Sequence, residues 1–472
     1  MVTPRETHHA MNGLVHEPAS LPWLRAELQK KKVALEQEII AHRHSLELLR
    51  QTEMAYGRFV PHQILKLLKA NSILDISLGE QTERNMTIMF SDIRNFTPLS
   101  EQMSPRETFA FINSYLGEME PVIGRYGGFV DKYIGDAIMA VFPNSADDGL
   151  HAAVGMLEQL AEYNRGRARA GYRDVRIGIG LNTGIVLLGT IGGTQRMEGT
   201  VLSDSVNLAS RLENATKALQ TPLLVSEYTV SALADASQFH IRFLDRRLVK
   251  GKQHGQSVYE VFNNDAPDVL AGKEATRPIF EEAVAFYHLQ AAARALPMFE
   301  QCLRQVPEDR PAQIYLERCQ RALATGSSGA VGEMRIELQW SEDFVVGVAQ
   351  IDEPHRELVA RLNSLAATVE AGGAADVDSM IQFLTDYVSF HFGDEEQLMR
   401  EVAYPLMADH LREHQAFVKQ IQALRVEISH GKRDALYLAF HVQLLLLDWF
   451  ANHTTKTDRH LGRFIHGIRS TH

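Results

Sequence analysis

The chain has 472 residues, more than one compact core of ordinary size holds, so two to four domains are expected. Its 45% hydrophobic and 23% charged residues are typical of a soluble globular protein, and a formal charge of -11 argues against nonspecific nucleic-acid binding as its main role. Two cysteines, Cys302 and Cys319, are too few for a disulfide scaffold and read as small buried hydrophobes.

Residues 1–20 read as a loose polar tail without a secretory leader. From Leu28, the apolar positions Leu35, Ile39, Leu46 and Leu49 recur at helical spacing, with His42 on the same seam. This pattern suits a coiled coil with a second copy, or else an amphipathic helix packed on its own domain. Met86 to Phe90 reads as a strand and Ser104 to Tyr126 as a helix. Phe129 to Tyr133 and Ala137 to Phe142 flank a tight Gly135-Asp136 turn, as in a β-hairpin. Ala146 to Arg169 is helical, Val175 to Leu181 a strand and Ser203 to Ala218 a helix, which predicts mixed α/β architecture.

Asn263 to Gly272 has the Asp, Pro and Gly content of a linker, and residues 273–324 read as two or three helices. That region is faintly like a tetratricopeptide unit and is taken as a coupler. A Gly-Ser-rich break follows at Thr325 to Gly332. Residues 340–466 carry long helical patterns interrupted only at Gly372-Gly373, Pro405 and Gly431, the layout of an up-down bundle. No run of 18 or more apolar residues is present, and Asp448 interrupts the most apolar stretch, Leu444 to Phe450. A cytoplasmic protein with no membrane span is expected.

Asp92 follows a strand and Asp136 sits in the hairpin turn, so both can face one edge of a sheet. Such a pair can hold one or two divalent ions that neutralise triphosphate charge, although either residue alone is more often a turn or cap residue. The surrounding motifs are Met89-Phe90-Ser91-Asp92-Ile93-Arg94-Asn95-Phe96-Thr97, Lys132-Tyr133-Ile134-Gly135-Asp136-Ala137, Ser205-Val206-Asn207-Leu208-Ala209-Ser210-Arg211-Leu212 and Val249-Lys250-Gly251-Lys252. With them, the span from about Phe59 to Phe262 resembles the class III nucleotidyl cyclase catalytic domain of adenylate and guanylate cyclases.

The resemblance implies a ferredoxin-like α+β fold and catalysis with two Mg²⁺ or Mn²⁺ per site, held by Asp92, Asp136 and the backbone carbonyl of Ile93. It assigns Asn207 to the ribose, Arg211 to the attacked phosphorus, Lys250 to the terminal phosphates, and Lys132 and Thr200 to the base. A lysine donates to the adenine ring nitrogen and a threonine hydroxyl accepts from the amino group, so ATP is the expected substrate. The family works as head-to-tail dimers, and one copy here carries both half-sets, so a homodimer is implied. Ser203 departs from the glycine that relatives often carry there.

In the last third, His391 and Glu395 are four apart on one helical face, as are His410 and His414, and His453 and Asp458 are five apart. With His355, these five imidazoles and two carboxylates suit a pair of iron ions better than a structural zinc. On Trp340, Gly347-Val348, Ile351-Asp352-Glu353-Pro354-His355, His391-Phe392-Gly393-Asp394-Glu395-Glu396 and Met399, the region Leu338 to Phe464 resembles a bacterial hemerythrin domain. The resemblance implies a four-helix bundle with His410, His414 and His453 on one iron and His355 and His391 on the other. Glu395 and Asp458 bridge the two ions. It also implies O2 binding at the iron with two histidines, and sensing of O2, NO or redox state. Asp394 and Glu396 fall outside the ligand set, and Trp340 and Trp449 read as core.

The expected domains are a tail and dimerising helix at 1–58, the cyclase domain at 59–263, a helical coupler at 264–332 and the diiron domain at 333–472. The expected function is an adenylate cyclase regulated by oxygen or redox state. A guanylate cyclase with the same sensor, or a non-catalytic diiron protein, are the alternatives.

Overall fold

The computed structural model describes residues 21–56, 62–70, 73–193, 196–248, 255–325, 340–370, 377–429 and 434–469. Residues 1–62 and 63–472 form two compact units. In the first, α1 (Leu21–Tyr56) is a single helix of 36 residues, longer at both ends than the apolar seam suggests. Its Leu28, Leu35, Ile39, Leu46 and Leu49 are exposed. The expected tail and the Gly-Ser break after Thr325 lie outside the described residues.

After α2 (His62–Leu67), the α/β part is built on β1 (Gln81–Ile93), β2 (Phe129–Ile134), β3 (Ala137–Phe142), β4 (Ile177–Gly193), β5 (Arg196–Leu202), β6 (Leu223–Ser226), β7 (Ile241–Leu248) and β8 (Gly255–Val261). Their order is β2-β3-β1-β4-β6-β8-β7, with β5 paired to β4, and only β4 and β6 run parallel. The strand expected at Met86 to Phe90, and that expected at Val175 to Leu181 from Ile177 onward, are parts of a much longer pair, from Gln81 opposite Gly189 to Ile93 opposite Ile177. An apolar run marks only the buried middle; the polar and glycine-rich flanks are held by the hydrogen-bond ladder.

Between the strands lie α3 (Phe96–Ser100), α4 (Pro105–Arg125), α5 (Ala146–Arg169), α6 (Asp204–Leu219) and α7 (Glu227–Ala232). A capping box starts α4: Glu107 N donates to Ser104 Oγ, and Ser104 N donates to Glu107 Oε2. Both α4 and α5 pack over Met89, Ile93 and Leu181.

The linker expected at Asn263 to Gly272 is packed instead. Asn264 donates to the Val154 carbonyl at 3.1 Å, and Lys273 Nζ lies 2.7 Å from Asp265 and 2.9 Å from Glu260. Pro267 opens α8 (Pro267–His288), so the Asp-Pro composition marks a helix start, where proline lacks no needed donor. With α9 (Ala292–Gln305) and α10 (Arg310–Thr325), α8 joins the sheet through the buried Arg242, which donates to both oxygens of Asp309 at 2.7 Å and to Glu260 at 2.6 Å. Burial pushes the Cys302 thiol up to about 12 and Cys319 to about 11, as suits packing residues.

The C-terminal bundle comprises α11 (Ala349–Glu370), α12 (Val377–Glu401), α13 (Met407–Ser429) and α14 (Ala435–Asn452), which continues into α15 (Arg459–Arg469) through one π-helical turn, His453–Asp458. Leu358, Leu384, Phe417, Leu447 and Phe450 belong to an apolar core continuous with that of α8 to α10. Within Ala435–Ile468 one 18-residue window reaches the mean hydropathy, 1.2, at which a helix could cross a membrane; yet 67% of that window is buried inside the protein. Core burial explains that hydropathy, because a helix apolar on all sides suits a protein interior as well as a lipid one.

Candidate functional site

The antiparallel pairing of β1 with β3 sets Ser91 opposite Ile138, which brings Asp92 to the hairpin turn carrying Asp136. Gly135 takes φ 66° there, a conformation that favours glycine. Burial, then the hydrogen bond and charge of Asp92, push Asp136 up to about 6, while backbone amides of Asp136 and Ile93 pull the other way. Two neighbouring carboxyl groups beside the Ile93 backbone are a fitting donor set for a divalent cation. Lys217 Nζ, near the end of α6, lies 3.0 Å from Asp92 Oδ2.

Asn207 and Arg211, four apart, share a face of α6; Asn207 is exposed and Arg211 half-buried. Lys217 reaches Asp92, but Asn207 stands ten residues earlier, about 15 Å up the helix axis. One chain therefore does not set Asn207 beside its own Asp92. Ser203 caps α6, accepting from Ser205 N at 2.7 Å and donating to the Ile185 carbonyl at 2.9 Å, so the departure from glycine gives the helix a side-chain cap.

The structure brings Lys132 and Thr200 together through residues the sequence did not single out. Thr200 Oγ1 donates to Asp131 Oδ2 at 3.1 Å, and Lys132 Nζ sits 3.6 Å from that oxygen and pairs with Glu198. Lys250 lies outside the described residues.

In the bundle, His355, His391, Glu395, His410, His414, His453 and Asp458 converge, each with 3% side-chain exposure or less. Their ligand atoms form two groups, His410, His414 and His453 with Glu395, and His355 and His391 with Glu395. Glu395 turns Oε1 to His391 Nε2 at 3.8 Å and Oε2 to His414 and His410 at 3.2 and 3.7 Å. Asp458 turns Oδ2 to His355 at 3.4 Å and Oδ1 to His453 and His410 at 3.0 and 3.2 Å. Each carboxylate thus spans both histidine groups.

The five-residue gap between His453 and Asp458 closes because that turn is π-helical, which aligns i with i+5 instead of i+4. All four carboxylate oxygens are buried without a hydrogen-bond partner. Desolvated acceptors facing imidazole nitrogens are costly alone and are stabilised by a multivalent cation, and imidazole with carboxylate suits iron. Burial draws His355 down to about 4; it also opposes protonation of His410, yet the facing carboxylates of Asp458 and Glu395 raise that imidazole to about 9.

Glu413, unremarked in the sequence, is 2.8 Å from His453 Nδ1 and accepts from Thr457 Oγ1 at 2.8 Å, so it fixes the ring that turns Nε2 to the site. Its three-residue spacing from His410 was the available signal. Phe392 stacks on His414 at 3.7 Å and Trp449 on His453 at 4.5 Å. Asp394 is exposed, while Glu396 Oε1 comes within 3.7 Å of His414 Nδ1.

The bundle meets the α/β part directly. Arg246 of β7 pairs with Asp448 of α14, Gln420 donates to Ser231 Oγ at 2.8 Å, and Lys456 of the π-turn lies 4.4 Å over the Tyr228 ring. A cavity of about 1060 Å³ between them is lined by Tyr228, Phe440, Asp448, Trp449 and His453 among others.

Residues 78–262 match the adenylate and guanylate cyclase catalytic domain, and residues 346–465 the hemerythrin HHE cation binding domain. An adenylate cyclase of Anabaena cylindrica is 41% identical over 223 residues, 46% of this chain and 44% of that protein. The terminal-differentiation-specific adenylate cyclase of Dictyostelium discoideum is 35% identical over 287 residues, 60% of this chain and 13% of its own length. A bacteriohemerythrin of Stenotrophomonas maltophilia is 31% identical over 122 residues, 26% of this chain and 77% of that protein. The chain spans less than half the length of these two cyclases, 44% and 13%.

Proposed function

We propose, on the premise that this chain belongs to the hemerythrin family through residues 346–465 and carries an adenylate and guanylate cyclase catalytic domain over residues 78–262, that it converts ATP to 3',5'-cyclic AMP and pyrophosphate as a homodimer regulated through iron in its bundle. One observation carries this reading: β1 and the β2–β3 hairpin bring the Asp92 and Asp136 carboxyls together at one sheet edge, while Asn207 of the same chain stands about 15 Å along α6 from the lysine that touches Asp92. Two partial sites, each completed by the other copy, account for both facts. The exposed apolar seam of α1 suits the same dimer as a coiled coil.

In that dimer Asp92, Asp136 and the Ile93 carbonyl of one copy would hold two Mg²⁺ or Mn²⁺, which would supply charge neutralisation for the triphosphate and acidity for the 3'-hydroxyl. From the other copy, Lys132 and Thr200 read the adenine, Asn207 orients the ribose and Arg211 balances charge developing at the α-phosphorus. Lys250 neutralises the terminal phosphates. The 3'-oxygen forms its bond to the α-phosphorus as the bond to pyrophosphate breaks, and the hydroxyl proton passes to solvent.

In the bundle, His410, His414 and His453 would hold one iron and His355 and His391 the other, with Glu395 and Asp458 serving both histidine groups. Iron bound there would supply reversible binding of O2 or NO and a change of oxidation state. The turn that carries His453 and Asp458 also carries Lys456 on Tyr228, and α14 carries Asp448 on Arg246, so movement of that turn reaches α7 and β7. Strand β7 runs towards the segment with Lys250.

The test is cyclic nucleotide formation by purified, iron-loaded protein from ATP and from GTP, with Mg²⁺ or Mn²⁺, reduced under nitrogen and again after air. Cyclic AMP at rates that differ between the two conditions is the expected result. Cyclic GMP as the main product overturns the substrate, equal rates overturn control by oxygen, and iron content other than two per chain overturns the diiron assignment.

A further inference from the structure

Strand β2 is not regular before its turn. Val130 pairs with Ala140 and Lys132 with Met139, so Asp131 is an extra residue with no partner on β3, the two-against-one register of a β-bulge. Neighbouring residues in a regular strand point to opposite faces, and the bulge lets Asp131 and Lys132 serve the same side. The Asp131 side chain has no exposed surface; its Oδ2 accepts from Thr200 Oγ1 at 3.1 Å and lies 3.6 Å from Lys132 Nζ. On β5, Glu198 precedes Thr200 by two residues, on the same strand face, and also pairs with the Lys132 ammonium. One buried acid thus touches both residues assigned to the base.

A hydroxyl has one proton to donate and two lone pairs to accept with. Because Thr200 gives its proton to Asp131, only lone pairs remain for a ligand, while the Lys132 ammonium can only donate. An acceptor beside a donor matches an exocyclic amino group beside an unprotonated ring nitrogen, as in adenine. Guanine shows a carbonyl beside a ring N–H, which sets acceptor against acceptor and donor against donor. Asp131 Oδ1 is buried with no donor, an arrangement that folding alone disfavours.

We propose that Asp131 is a positioning residue that sets nucleobase choice: it holds Thr200 as an acceptor and Lys132 beside it, so the site selects an amino group next to a bare ring nitrogen. This rests on the proposed function, in which Lys132 and Thr200 face the base. Asp131→Asn keeps the shape but can offer Thr200 an N–H, which frees the hydroxyl proton for a carbonyl.

The experiment measures kcat/KM for ATP and GTP in the full-length, iron-loaded protein, its Asp131→Asn and Thr200→Val variants, and the double variant. Asp131→Asn is expected to lower the ATP-to-GTP ratio about tenfold, roughly the effect of one hydrogen bond, and to change the ratio no further once Thr200→Val has removed the hydroxyl. Thr200→Ser keeps the hydroxyl and should keep the ratio; Asp131→Ser, which withdraws the acceptor, serves if the asparagine variant does not fold. Loss of activity with both nucleotides at an unchanged ratio, or the same drop with and without the Thr200 hydroxyl, overturns the proposal. An unchanged ratio in Thr200→Val overturns it together with the base assignment of Thr200. Failure of the proposed function itself is distinct, since the wild type then forms no cyclic nucleotide.

Discussion

In the bundle seven ligand side chains meet at 3% exposure or less, whereas in the α/β part Asp92 keeps 22% and Asn207 stands exposed far along α6. The first site is closed by one chain, because its ligands sit at helical spacings on neighbouring helices of one core. The second is open, because its groups end strands and line an exposed helix face, and in the proposed function it is divided between two copies. A closed site is ready for a metal once the chain has folded; the open one, in the proposed function, is completed by substrate, ions and a second copy.

The sharpest break between the two is expected from Asp136→Asn. Cyclic AMP formation should fall by about 10²- to 10³-fold with iron content and visible spectrum unchanged. Mixing that variant with Asn207→Ala in equal amounts should restore about a quarter of wild-type activity, because half the dimers then carry one intact site. No recovery on mixing would end the divided-site reading.

Next, Glu413→Gln loosens the ring of His453 and should weaken iron binding about 10- to 100-fold, read as iron per chain after dialysis against a chelator. The open site answers to protons instead. With Asp136 pushed up to about 6, a proton competes with the cation below that pH, and half-saturating Mn²⁺ should rise about tenfold for each unit of further acidification. In the metal-free protein the sign reverses for stability. The native carboxyl binds more protons than the unfolded one between 3.8 and about 6, so stability falls as pH rises through that window.

The smallest effect is expected from Lys217→Gln, which removes a cation 3.0 Å from Asp92. Half-saturating Mn²⁺ should drop about two- to fivefold, in keeping with a half-exposed ion pair. An increase would assign Lys217 to the substrate instead.

Much of both sites was legible as spacing. His391 with Glu395 and His410 with His414 are set by helical periodicity alone, and the Gly135-Asp136 hairpin by its turn residues. Ala146–Arg169 forms the helix its periodicity predicts. The flanks of β1 and β4, and the strands β5, β7 and β8, carry no continuous apolar run and exist through pairing, while the Leu223-Leu224-Val225 run of β6 is too short to mark a strand by itself.

Local pattern therefore specified which side chains are available and which share a helix face, since those relations repeat every few residues. Relations between distant segments depended on packing. The π-helical turn joins His453 to Asp458, Lys217 reaches Asp92 across 125 residues, and Glu413 meets His453 from another helix. The bulge that turns Asp131 under Thr200 belongs with these, because it is a mismatch of register between β2 and β3, and register is a property of paired strands rather than of either one.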